Sequence, residues 1–138
     1  MNRMFLLTSA LALAIIVSGS VFGADDKSPS IKEVMEALHG EDGKGGIKAK
    51  VTTALKDKAW DNVQAGAKDW VKQAEALSKS KPTKGSTASW KKLTTAYEKN
   101  ATALAEAADK KDAAKSKTAL TKLSTSCGSC HSVHKPKK

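Results

Sequence analysis

The sequence predicts an all-α protein, an antiparallel four-helix bundle whose first helix is interrupted by a Gly-rich segment. Three observations carry that prediction. Apolar residues recur at steps of three and four in separate regions of the chain, the spacing of one helix face. No segment alternates apolar and polar residues as a half-buried strand does, and the β-branched residues stand singly. The regions are joined by short runs of Lys, Ser, Gly, Pro and Asp, and short connections make successive helices antiparallel.

The first residues are of another kind. Arg3 precedes an apolar run from Met4 to Val17, and small residues follow from Ser18 to Gly23. That order is a secretory signal, and the run is too short for a membrane span of about 20 apolar residues. Residues 1–23 are read as a leader cut near Gly23/Ala24, and residues 24–138 as one exported domain without stable membrane insertion. Cleavage removes Arg3, the chain's one arginine, and both phenylalanines, Phe5 and Phe22.

Beyond the leader, Ser30-Ile31-Lys32-Glu33 reads as a capping box, with Pro29 just upstream. Ile31, Val34, Met35 and Leu38 follow at helical spacing, ending at His39 and Gly40. Four glycines between Gly40 and Gly46 cost about 1 kcal/mol each in a helix, so a loop is expected there. Ile47, Val51 and Leu55 resume the stripe through about Lys58, the second half of a broken helix.

Trp60, Val63, Ala67, Trp70, Ala74 and Leu77 alternate steps of three and four without a slip. Ser78 to Thr87 is an exposed connection. Trp90, Leu93, Tyr97, Ala101, Leu104 and Ala108 make the next stripe, and Asp109 to Asp112 a tight turn. The last helix starts near Asp112 and carries Ala113, Leu120 and Leu123 inward. The stripes are rich in Ala and poor in aromatics, so the core is thin and a buried apolar group would add much of the missing mass.

The final helix delivers Cys127-Gly128-Ser129-Cys130-His131. C-x-x-C-H is the attachment signature of a c-type haem: two thiols add to the porphyrin vinyl groups and the adjacent imidazole coordinates the iron. On a helix, residues three and four apart share a face, so one turn presents all three groups together. Export suits this reading and equally permits a Cys127–Cys130 disulfide. Two alternatives remain at this point. One is a thiol oxidoreductase, which lacks the βαβ context of a thioredoxin-like C-x-x-C; the other is a zinc site from Cys127, Cys130, His131 and His134, strained because all four lie in one short segment.

The arrangement resembles the class II c-type cytochromes, the cytochrome c prime family and its methionine-ligated low-spin relatives: exported four-helix bundles with C-x-x-C-H near the C-terminus. The resemblance implies one covalently bound haem c held by Cys127 and Cys130, His131 as the proximal ligand, and a periplasmic location. Lys135 stands where the family often has a basic residue after the proximal His. In the first helix Lys32 to Met35 fits the family's pattern around the sixth-ligand position, making Met35 the distal candidate. His39, one turn on and on the same face, is the alternative. The Gly-rich break is unusual for the family's long first helix.

The expected function is one-electron carriage, with no enzymatic activity. The alternative is a five-coordinate haem protein that binds nitric oxide or carbon monoxide. The chain carries 24 Lys plus Arg against 14 Asp plus Glu, a formal net charge of +10. Such a protein is steered towards an acidic redox partner or an anionic surface. Nucleic acid is not expected, because the lysines are scattered and no Arg remains. The resemblance also leaves room for a homodimer, since family members often pair through their first two helices. His134 is expected beside a haem propionate or in solvent, and Trp60, Trp70 and Trp90 in the core.

Overall fold

The computed structural model describes residues 28–137; the leader and its cleavage site lie outside them. Five helices follow in order: α1 (Ile31–His39), α2 (Gly46–Lys56), α3 (Trp60–Lys79), α4 (Thr87–Asp109) and α5 (Ala113–His134). Among the described residues there is no strand. Successive helices α2 to α5 pack on one another, α5 returns to α2, and neither diagonal pair brings its backbones within 8 Å. This closes a four-cornered antiparallel bundle in which α1 and α2 together make the first corner.

The two halves of that corner are set by local chemistry. Ser30 caps α1, its Oγ accepting from Glu33 N at 3.3 Å while its own N–H donates to Glu33 Oε2 at 2.7 Å. Gly40, at φ 79°, stops the helix with its N–H on Glu36 O. The excursion then returns to its starting point. A Cβ on Gly46 would lie 2.6 Å from Gly40 N and 2.7 Å from Leu38 O, so only a glycine lets α2 begin against the end of α1. The predicted interruption is therefore a closed loop at one level of the bundle.

The other corners end on hydrogen-bonded caps. At the end of α4, Lys111 N–H donates to Ala108 O and Asp112 N–H to Ala107 O, a Schellman motif with Lys111 at φ 53°. The end of α2 is closed the same way, with Lys58 at φ 54°: Lys58 N–H donates to Leu55 O and Ala59 N–H to Ala54 O. Asp112 then caps α5, accepting from Lys115 N at 2.9 Å.

The core is one cluster running through all five helices. Every predicted α3 position from Val63 to Leu77 is buried, with Trp60 half-buried at its end. Two details of the other stripes differ. Leu93 is half-buried, and Thr94 beside it is buried instead, its hydroxyl returned to Trp90 O at 2.9 Å. Ala113 is exposed because it is the first helical residue after the cap; α5 buries Ser116, Ala119 and Leu123.

Candidate functional site

α1 packs on α2 and α3, but its backbone comes within 8 Å of neither α4 nor α5. Between α1, α4 and α5 there is a cavity of about 160 Å³ that opens to solvent. Met35 and His39 line it from α1, Cys127, Cys130 and His131 from α5, and Leu93 and Tyr97 from α4. A second opening at the bundle end shares Met35, His39, Cys130 and His131 with it.

Helix α5 continues unbroken through the C-x-x-C-H motif, so its three groups share one turn. Both cysteines are free and half-buried. Burial pushes the Cys127 thiol up, with Lys48 pulling the other way; burial and then Cys127 push Cys130 up. These are protonated thiols. The depressed thiolate of a disulfide oxidoreductase is not what this environment makes.

His131 lies exposed at the cavity mouth. Burial, with Lys135 adding to it, lowers its pKa and favours the neutral ring that can ligate a metal. His39 is lowered too, by burial first, then by Lys48 and His131. Met35 is half-buried against the core with its side chain in both openings. The structure thus brings all five sequence-predicted site residues to one cavity.

His134 is the exception to the expectation. It is 5% exposed, with Nδ1 2.7 Å from Lys84 O and Nε2 3.2 Å from Ser89 Oγ. Its ring meets Trp90 edge-on at 5.1 Å between centroids. Since a carbonyl only accepts, Nδ1 carries the proton and Nε2 accepts from Ser89. Both nitrogens are used, so His134 clasps the α3–α4 connection to the end of α5 instead of standing in solvent. This also removes it from any zinc set, and among the described residues no three His, Cys, Asp or Glu side chains are placed to hold one metal ion between them. A haem iron asks only for ligands above and below the ring.

The sequence reading missed Tyr97 as a cavity residue because its place on a clean apolar stripe marked it as core. Its phenolic oxygen accepts from Trp70 Nε1 at 2.7 Å. The hydroxyl proton has no acceptor among the described residues, and that buried donor, the apolar walls, the two thiols and the free imidazoles together fit haem c. Among the described residues no helix is long and apolar enough to cross a membrane.

No curated protein and no solved structure gives a significant match to the chain. A family model described as Cytochrome C' matches residues 85–135, which span α4 and α5 with the whole C-x-x-C-H motif. The match covers less than half of the chain; with the helical bundle and the donor set it supports a c-type haem protein of the cytochrome c prime family of class II c-type cytochromes.

Proposed function

We propose that the protein is an exported, periplasmic monohaem cytochrome that carries single electrons, with haem c joined to Cys127 and Cys130, His131 as proximal ligand and Met35 as distal ligand. The observation that supports it best is the convergence of Met35 with Cys127, Cys130 and His131 in one cavity, across a gap that the α1 and α5 backbones leave open. When bound, haem c supplies a one-electron couple whose potential follows its axial ligands and surroundings. The chain's own residues do the rest.

One turn of α5 holds two thiols and a neutral imidazole on a single face. The Met35 thioether is a soft donor that favours the reduced metal and raises the potential. Leu77, Leu93 and Ala96 keep water from the cavity wall. Lys32 and Lys135 stand at its mouth, and with the net positive charge they orient the opening towards an acidic redox partner through weak, salt-sensitive contacts. Carriage of this kind uses no catalytic base.

The test is the optical and electron-paramagnetic spectrum of the exported protein, oxidised and reduced. A low-spin iron with the far-red band of thioether ligation, lost in Met35→Ala together with a fall in midpoint potential, is the expected result. A low-spin state that survives Met35→Ala and is lost in His39→Ala transfers the ligand role to His39. An iron that is five-coordinate and high-spin in the unaltered protein, and that takes up nitric oxide or carbon monoxide directly, overturns electron carriage in favour of gas binding.

A further inference from the structure

Tyr97 is a buried polar group that the function above leaves unused. It is 7% exposed on α4 and lines the cavity beside Cys127 and Cys130. Its oxygen accepts the indole N–H of Trp70 at 2.7 Å, and Trp70 itself is completely buried on α3. An indole nitrogen only donates, so the phenolic proton is not spent on this bond. A phenol O–H lies near the ring plane. With one in-plane direction taken by Trp70, the proton is left pointing along the other.

The other buried or half-buried hydroxyls of the cavity wall are already committed. Thr94 donates to Trp90 O at 2.9 Å and Ser126 to Leu123 O at 2.7 Å. Tyr97 donates to no described atom. Burial holds its pKa far above the ordinary phenol value; the Trp70 bond acts the other way, and Cys127 and Cys130 add to the rise. The group therefore keeps its proton at any physiological pH. The hydroxyl oxygen is needed as the acceptor of the buried Trp70 N–H, but its own proton finds no acceptor among the described residues, so it calls for one that enters with the ligand.

We propose that Tyr97, aligned by Trp70, donates a hydrogen bond from its hydroxyl to an oxygen atom brought into the cavity by the haem group. The inference rests on the haem reading above. Two sources of oxygen exist: a propionate carboxylate on the porphyrin edge, or a diatomic ligand such as carbon monoxide on the iron. Tyr97 is the donor in either case, and Trp70 is a positioning residue.

The experiment compares holoprotein carrying Tyr97→Phe, Trp70→Phe and both changes. Three quantities are read: midpoint potential, C–O stretch of the reduced carbon monoxide complex, and urea stability. Tyr97→Phe strands the buried indole N–H and lowers stability; Trp70→Phe removes that donor but leaves a core cavity, so the double variant costs less than the sum of the two single changes. A hydroxyl that only packs gives spectroscopic changes that scale with the loss of stability across the three variants. A donor gives changes that follow the hydroxyl, equal in Tyr97→Phe and the double variant. A lower midpoint potential without added gas assigns a propionate, and a raised C–O stretch at unchanged potential assigns the diatomic. Potential and stretch both at wild-type values in Tyr97→Phe, or both restored in the double variant, overturn the proposal. An unaltered protein without covalent haem overturns the haem reading and this inference with it, whereas a coloured protein insensitive to Tyr97→Phe overturns this inference alone.

Discussion

Gly85→Ala and His134→Ala test whether the clasp between the α3–α4 connection and the end of α5 is as tight as its geometry implies. Gly85 sits at φ +81°, where an L side chain costs about 1 kcal/mol or slightly more. An added Cβ would also lie 2.7 Å from His134 Nδ1 and 2.8 Å from Cε1. That imidazole is no flexible chain end, because Lys84 O and Ser89 Oγ hold its two nitrogens and Trp90 holds its edge. Moving it sacrifices a hydrogen bond worth about 1 kcal/mol net and adds overpacking of at least about 1 kcal/mol. Gly85→Ala is thus expected to cost about 3 kcal/mol. His134→Ala loses two hydrogen bonds and an aromatic contact of about 0.5–1.5 kcal/mol, again about 3 kcal/mol in all. In the double variant the clash is gone and only the backbone strain remains from Gly85→Ala. The pair should therefore fall short of additivity by about 2 kcal/mol. Urea unfolding followed by far-ultraviolet circular dichroism measures all three at unchanged m-value. Additivity within about 0.5 kcal/mol would refute the clasp as described.

Two further outcomes follow from the caps. Lys58→Gly and Lys111→Gly relieve left-handed strain at exposed Schellman positions, and each should stabilise the protein by about 0.5–1 kcal/mol in the same urea assay. The Asp112 carboxyl is held below its ordinary pKa chiefly by the Lys115 backbone N–H it accepts. A depressed folded-state pKa gives stability that is present above the unfolded carboxylate pKa and is lost as pH falls through the folded one. Thermal melting should accordingly decline on acidification through the carboxylate range, with a shallower slope in Asp112→Asn, which keeps a capping oxygen without the charge.

The fold was legible wherever a helix face is strictly periodic. The α3 stripe from Val63 to Leu77 buries as its spacing demands, and the Ser30–Glu33 box marks the start of α1 to the residue. It was less legible where composition blurs the face. Thr94 replaces Leu93 in the core because a threonine whose hydroxyl bonds its own helix packs like a valine, and this frees Leu93 to line the cavity. The α5 face is drawn in Ser, Ala and Thr, so sequence contrast could not tell Ala113 from Ala119. At the site, the C-x-x-C-H turn was readable because its geometry is local. The partners of His134 lie in the α3–α4 connection and the first turn of α4, which sequence spacing never connects to it, and Tyr97 carries its chemistry on the tip of an otherwise ordinary core residue.

The separation of α1 from α5 has a thermodynamic side. A nine-residue helix is well below the length that is stable alone, and α1 buries only Val34 and Leu38 completely before reaching its glycine loop. Its hold on the bundle comes from α2 and α3, while the two thiols proposed to hold the haem belong to α5. Any bond from the cavity's occupant to Met35 or His39 is then also a fastening of α1. By linkage, whatever strengthens that bond slows local opening of α1, and whatever loosens α1 weakens the bond by the same free energy. Amide exchange in residues 31–39 should therefore be the part of the molecule most sensitive to what the iron is bound to.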